Sequence, residues 1–391
     1  MILGTFYEGL ELHREDRIVY GRFLAPHRVV STCQIAGGMR EDLQVVYNHQ
    51  SCEPAFHCER VGHKVSKDYR ESQRQVCERA GLPFEASASL GTAANMNCLG
   101  LQERRFRDLI VVAACTAGVE GNAGRAGDPA GTYEWEGRFE RVSPVMVPSH
   151  GTINTLLFIN RELTPGALVR SLMTATEAKS AALQDLVVGS KYSLGRATGT
   201  GTDQIASCCR LGTGIPLTSA GKHSILGQMI GEAVREAIKD ALALQNGLTP
   251  DSQRSVLQQL KRFGLTHEGL EDGARRHLSE YEAELFRRNI HVLDADPLIV
   301  GAAAALAEVA DQLRTGILPM SCARELGASL AAQMACAVSG NYSLFEECRM
   351  AASTQLEAFD PTGIAAWAMP RGFESKWKHL HTSLTEEGAC L

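Results

Sequence analysis

No run of about 18 apolar residues occurs in this 391-residue chain, so no helix is expected to span a membrane. No long basic run occurs either. Net charge is −6, from 39 Lys and Arg against 45 Asp and Glu, so nucleic acid is not an expected partner. The first residues, MILGTFYEGLELHRED, meet charge early and lack a basic start followed by an apolar core. No signal peptide is read there, and a cytoplasmic location is expected. Two chemical signatures are also missing. There is no C-x-x-C pair, and no Gly-x-Ser-x-Gly elbow of the kind that marks many serine hydrolases.

What is present is a chain able to bury a sizeable core. Hydrophobic residues make up 44% of it, and its length points to two domains. Its 12 cysteines are scattered through apolar and helical stretches, as at Cys115 and Cys336, and read as buried free thiols rather than disulfides. Residues 17–24 and 28–35 read as strands around Ala25-Pro26-His27. The stretch from Asn48 to His63 holds His49, Cys52, His57, Cys58 and His63. These residue types can ligate a transition metal, but the spacing fits no standard zinc finger. A substrate-facing or surface loop is the preferred reading, with no metal site assigned. A polar helix follows from Lys67 to about Ala80. Leu109–Thr116 reads as a strand buried on both faces that ends at Gly118 and Asn122. Tyr133–Pro148 reads as a hairpin or rim loop.

The most informative stretch runs from Gly151 to Asp203. Leu156–Ile159 reads as a buried strand. Thr164 then offers an N-cap hydroxyl, with Pro165 at the first helical position. A helix follows to about Val188, with Lys179 in its apolar stripe and Glu177 and Asp185 beside it. Next comes Ala197-Thr-Gly-Thr-Gly-Thr-Asp203, three threonines alternating with two glycines and ending on a carboxylate. That composition suits a loop bent closely around a ligand. Ile205–Cys208 continues as a strand, so the unit is βαβ-like if the two strands are neighbours. Lys222–Leu244 reads as an amphipathic helix with His223 in its first turn.

These residues carry a resemblance. Ala175–Leu186 with Ala197–Asp203 resembles the adenosylcobinamide amidohydrolases of corrinoid salvage (cobalamin biosynthesis). So do Thr116-Ala-Gly-Val119 with Asn122-Ala123 and Arg125–Asp128, the Gly151-Thr-Ile-Asn154 block, and His223 with Gly227 and Ile230-Gly231. The resemblance covers roughly residues 20–245. It implies hydrolysis of the amide joining aminopropanol to the corrin ring, giving adenosylcobyric acid. The implied partner is a small corrinoid molecule, with no required cofactor and with a homo-oligomer left open. One departure is visible: the family's Asn-Gly-Gly near the N-terminus is here Ala36-Gly37-Gly38. A weaker likeness of the strand–helix–loop unit is to self-processing aminopeptidases related to ornithine acetyltransferase, although no processing site is evident.

The fold expected is an α+β N-terminal domain of layered sheets with outer helices, at 1–245, followed by a linker at 246–250, an all-α domain at 251–375 and a tail at 376–391. The helical half resembles α-ribazole-phosphate phosphatases, relatives of the phosphatidylglycerophosphatase A group. The resemblance rests on Asp296-Pro297, Ala302–Ala304, Gly316–Pro319, Glu325–Gly327, Gly340–Phe345 and Phe359-Asp360. It implies a possible second activity. The paired acidic residues expected near that family's C-terminus are reduced here to Asp360-Pro-Thr-Gly363.

Amide hydrolysis needs a nucleophile or activated water, a base, oxyanion donors and an acid for the leaving amine. The catalytic candidates are Thr200 and Thr202 as hydroxyls, Asp203 to orient or deprotonate, and Lys179 with Glu177 for proton transfer. Gly37, Gly38, Asn122, Asn154, Thr198, Gly199, Gly201 and His223 are the substrate-binding candidates. A threonine nucleophile and an activated water both remain open, as do a non-catalytic corrinoid-binding protein and a metal-dependent hydrolase using the His/Cys loop. Asp203→Asn is expected to abolish turnover and leave the fold intact.

Overall fold

Alternate residues of the run Ile153–Ile159 enter two different cores. Ile153, Leu157 and Ile159 pack with helices, while Leu156 and Phe158 pack against a second sheet. Successive strand side chains point to opposite faces, so this strand must be covered on both sides. The structure, a computed structural model, describes residues 1–52, 69–142, 151–355 and 358–387, with side chains up to residue 376.

In chain order the strands are β1 (Ile2–Phe6), β2 (Leu10–Glu15), β3 (Ile18–Phe23), β4 (His27–Ser31), β5 (Gly38–Arg40), β6 (Val45–Gln50), β7 (Ser87–Thr92), β8 (Gly100–Phe106), β9 (Leu109–Ala117), β10 (Ala123–Gly124), β11 (Thr132–Trp135), β12 (Arg138–Arg141), β13 (Ile153–Ile159), β14 (Gly199–Thr200) and β15 (Gln204–Arg210). The helices among them are α1 (Tyr69–Ala80), α2 (Pro165–Asp185) and α3 (Ile225–Asn246). A first sheet has the order β1-β2-β3-β6-β7, and a second has β5-β4-β15-β13-β9-β8. Leu10, Leu12, Val46 and Leu90 of the first sheet meet Val112, Leu156, Phe158 and Cys208 of the second. On the second sheet's other face lie α2 and α3, through Leu168, Ala182, Ile230 and Ile238. On the first sheet's outer face, Ile18, Tyr20 and Tyr47 pack against Val76 and Cys77 of α1. The result is four layers: helix pair, sheet, sheet, helix. This is the α+β layered domain that the sequence implies.

β13 and β15 are parallel neighbours, with Asn154 opposite Gln204, and α2 is the crossover between them. Thr164 caps α2, accepting from Ala167 N–H at 3.3 Å, and Pro165 follows it. Gly247, at φ 62°, ends α3 in the left-handed conformation. Residues 17–24 and 28–35 do form strands, β3 and β4, but these belong to different sheets. Asn48, His49 and Gln50, read as part of a loop, finish strand β6. His57, Cys58 and His63 lie outside the described residues.

The chain divides into two compact units, Met1–Thr249 and Pro250–Leu391. Described by itself, the second unit is all-helical: α4 (Pro250–Gln253), α5 (Val256–Leu260), α6 (His267–His277), α7 (Glu280–Asp294), α8 (Pro297–Thr315), α9 (Ala323–Ser339), α10 (Phe345–Gln355) and α11 (Pro361–Glu387). Its core collects Phe286, Leu306, Met334, Trp367, Met369 and Phe373. Glycines allow close helix crossings there. A Cβ on Gly372 of α11 would collide with Ala335 O of α9, and one on Gly273 of α6 with Ala366 O of α11. No single helix among the described residues is long and apolar enough to cross a membrane.

Candidate functional site

Asp203 immediately precedes β15, and adjacent residues there diverge to opposite faces. Asp203 turns toward the helix layer and meets Lys179 of α2, Oδ2 to Nζ at 2.5 Å. Gln204 turns the other way, and its Oε1 accepts from Gly91 N–H of the first sheet at 2.8 Å. Lys179 and Asp203 are both largely enclosed, with side chains 16% and 13% exposed. Three further donors reach the same carboxylate: Thr200 N–H at 2.9 Å, Thr200 Oγ at 2.5 Å and Ile153 N–H at 2.9 Å. Gly199 makes this closure possible. A Cβ there would collide with Asp203 Oδ2 and come within 2.7 Å of Lys179 Nζ.

The Ile153 contact brings the head of β13 against the loop. Thr202 Oγ lies 2.6 Å from Thr152 Oγ and donates to Gly151 O at 3.0 Å. Because Thr202 has one hydroxyl proton and spends it on Gly151 O, Thr152 must be the donor within the hydroxyl pair. Asn122 Nδ2 donates to the same Gly151 oxygen at 3.0 Å, while Tyr192 OH donates to Asn122 Oδ1 at 2.7 Å. Two side-chain donors thus converge on one carbonyl oxygen beside a pair of hydroxyls. Burial, reinforced by the nearby Asp128 charge, raises the Tyr192 phenol above its ordinary range. Asp128 Oδ2 in turn accepts from Ser190 Oγ at 2.5 Å and Arg125 N–H at 2.7 Å.

Of the residues singled out in the sequence, Lys179, Asp203, Thr200, Thr202, Gly199 and Asn122 are gathered here. Gly201 abuts Asn122, its Cβ position 3.5 Å from Oδ1. Thr198 supports the loop from outside: its Oγ accepts from Ala126 N–H at 2.9 Å, and its carbonyl accepts from Ser180 Oγ at 3.0 Å. The remaining candidates lie elsewhere. Glu177 is two residues from Lys179, which on a helix is over half a turn away, and its carboxylate pairs with Lys222 at 2.7 Å. Asp185 likewise pairs with Lys239 at 2.7 Å. Asn154 shares the inter-sheet parity of Leu156 and is 1% exposed. Its Nδ2 is used by Asn48 Oδ1 at 2.8 Å and Gly91 O at 3.0 Å, so it presents no donor to a substrate. Among the described residues its buried Oδ1 has no hydrogen-bond partner. Gly37 and Gly38 build the turn from β4 to β5: a Cβ on Gly37 would collide with Cys33 O, and Gly38 has φ 79°. Ala36 is buried in the inter-sheet core. His223 is exposed just before Ser224, the N-cap of α3.

Thr152 and Tyr192 were not singled out from the sequence. Thr152 had a signal, since it stands in the Gly151–Asn154 block, but Tyr192 had none. Among the described residues, no group of three or more His, Cys, Asp or Glu side chains is placed to hold a metal ion. Burial, with Arg79 and Arg17 nearby, pushes His49 down to about 4. Cys33, Cys77, Cys98, Cys115, Cys208, Cys209, Cys322, Cys336 and Cys348 form no disulfide. Burial pushes the Cys115 thiol up to about 12 and Cys208 well above its ordinary value, which keeps both protonated and unreactive.

A family model described as adenosylcobinamide amidohydrolase matches residues 4–250. The chain belongs to that family. The match takes in every site residue above, and the family is one of hydrolases acting on an amide. A protein of Methanocaldococcus jannaschii described as uncharacterized protein MJ1613 is 38% identical over 184 residues, which is 46% of this chain and 71% of that one. Among solved structures, the PH0078 protein from Pyrococcus horikoshii OT3 is 12% identical, covering 61% of this chain and 85% of that chain at a TM-score of 0.29. A Burkholderia sp. beta-aminopeptidase is also 12% identical, covering 62% and 82% at the same TM-score of 0.29. Scores this low carry nothing about this amidohydrolase family member.

Proposed function

We propose that this chain hydrolyses the aminopropanol amide of adenosylcobinamide, giving adenosylcobyric acid and aminopropanol in corrinoid salvage, with no added cofactor. One observation supports the reading beyond family membership. The Lys179–Asp203 pair fixes a loop whose Thr202 hydroxyl lies 2.6 Å from the Thr152 hydroxyl and, with the Asn122 amide, is anchored on the Gly151 carbonyl beside it. Thr152 is the better nucleophile candidate. Its proton already points to Thr202, which leaves its own lone pairs free to attack a substrate carbonyl. Attack of Thr152 Oγ on the carbonyl carbon would break the C–N bond, with the Thr152 proton relayed through Thr202 Oγ to the departing aminopropanol nitrogen; water would then cleave the Thr152 ester, giving the free acid and returning the proton to Thr152. One Asn122 Nδ2 proton is spent on Gly151 O, and the second is the donor this scheme assigns to the developing oxyanion. Asp203, held by Lys179 and three other donors, is a positioning residue in this scheme rather than a base.

The test is incubation of purified protein with adenosylcobinamide and measurement of aminopropanol. Its release with formation of adenosylcobyric acid supports the reading. Tight binding without release would make the protein a corrinoid carrier instead. Loss of turnover on chelation, restored by a metal, would favour the metal-dependent alternative.

The phosphatase likeness of residues 251–375 rests on residue pattern alone, and two of its acidic residues, Asp296 and Asp360, are occupied structurally. Asp296 caps α8, accepting from Leu298 N–H at 2.9 Å and Ile299 N–H at 3.2 Å. Asp360 accepts from Thr362 N–H and Gly363 N–H, both at 3.0 Å, at the start of α11. We therefore propose no phosphatase activity for this unit.

A further inference from the structure

Among the described residues, no core lies behind the hairpin β11–β12. All residues of both strands are exposed, and none belongs to a buried cluster. It nevertheless carries Tyr133, Trp135 (59% exposed) and Phe139 (72% exposed). Large aromatic side chains left in solvent together mark an interaction surface, and a two-stranded hairpin is marginally stable without one. The register sorts its two faces. Tyr133 stands opposite Glu140 and Trp135 opposite Arg138, so these four share one face. On that face the Tyr133 and Trp135 rings lie 6.2 Å apart and nearly parallel, at 12°. At that separation the rings stack rather than lie side by side, and the outer ring face of the stack, edged by one charge of each sign, is the aromatic platform left to a ligand.

The hairpin starts at the candidate site. Asp128 is pinned by Ser190, and Ala126 N–H is bonded to Thr198 of the site loop. Trp135 is only seven residues beyond Asp128, a reach of roughly 25 Å at most. The substrate proposed above has its reacting amide at the end of an arm, on a flat macrocycle with an apolar rim. With the arm in the site, the ring itself must rest on a surface outside it.

We infer that the Tyr133–Trp135 platform is that surface, taking the corrin macrocycle of a substrate whose amide reaches Thr152. This rests on the proposed function, so the experiment separates the two. Wild-type protein and a Y133A/W135A double variant are compared in aminopropanol release from adenosylcobinamide, in binding of dicyanocobinamide by equilibrium dialysis, and in size by gel filtration. Both positions are exposed, so the variant is expected to fold, which circular dichroism checks. The inference expects the variant to raise KM and the dicyanocobinamide Kd at least about tenfold, with kcat changed less than about threefold and size unchanged. Wild-type turnover with an unaltered KM in the variant overturns the platform and leaves the proposed function standing. Binding that the variant loses, in a wild type without turnover, keeps the platform and overturns the hydrolysis. A wild type that neither binds nor turns over overturns both. A wild-type dimer that becomes monomeric in the variant, with KM unchanged, overturns the inference by assigning the face to a second copy of the chain.

Discussion

Asp203 accepts hydrogen bonds from Lys179, Thr200 N–H, Thr200 Oγ and Ile153 N–H, which fills the roughly four lone-pair directions of a carboxylate. An asparagine there keeps one acceptor oxygen and turns an NH2 toward donors. Asp203→Asn is therefore expected to lower stability by about 2–4 kcal/mol in urea denaturation, as well as to abolish most turnover. This differs from the expectation that the residue type alone suggests, loss of activity with the fold intact. An unchanged urea midpoint would return Asp203 to a chemical role. His27 offers a residue-scale test by pH. It is fully buried, stacks on Phe23, donates from Nδ1 to Ala25 O at 2.7 Å and accepts at Nε2 from Tyr7 OH at 3.2 Å. Burial pushes it down to about 4. Above about pH 6.5 both folded and unfolded histidine are neutral, and the burial costs nothing. Between about 6.5 and 4 only the unfolded state takes the proton, so stability falls as pH falls through that window, by on the order of 3 kcal/mol. His49 adds a loss of the same sign. In His27→Gln the decline measured by denaturant titration should be shallower, and an identical decline would remove His27 as a cause.

At the scale of elements, legibility follows local signals. β9, β13 and α2 are readable because apolar runs and an N-cap threonine followed by proline are written into consecutive residues. Most of the first sheet is not. Its turns place Tyr7 (φ 41°), Glu8 (φ 52°) and Asp16 (φ 44°) in the left-handed region, where Asn or Gly would have announced a hairpin. β6 and β7 hide for another reason. Asn48, Gln50, Ser89 and Thr92 are polar yet buried, so the end of β6 reads as loop and β7 gives no strand signal. The site shows the same division. Lys179 and Asp203 stand out by stripe and motif, whereas Thr152 matters only because parallel pairing of Asn154 with Gln204 lays the head of β13 beside the loop. In the helical unit, close crossings at glycine make a direct prediction. Gly372→Ala forces α11 away from Ala335 O of α9 and should cost about 1–3 kcal/mol. A thermal midpoint equal to wild type would show that the crossing can relax.

For the molecule as a whole, the cores are self-contained. The clusters of the first unit draw only on residues up to Leu242, with Leu248 packed against them, and the cluster of the second begins at Val256. Every candidate site residue lies within Met1–Thr249. A chain of residues 1–249 is accordingly expected to fold and to retain most of the proposed activity. An unfolded or inactive product would mean that the helical unit contributes to the site. The division into a layered α+β domain and a helical one was legible because β-branched runs stop after about residue 210. What the second unit does was not, since its phosphatase likeness rests on residue pattern alone and the paired acidic residues of that pattern are reduced to Asp360.

The central claim concerns the hydroxyl at residue 152, and aminopropanol release from adenosylcobinamide by Thr152→Ala and Thr152→Ser proteins tests it most directly. The account predicts loss of at least about 1,000-fold in kcat for the alanine variant, with serine retaining turnover within about tenfold and both variants folded. Wild-type release by the alanine variant would contradict it.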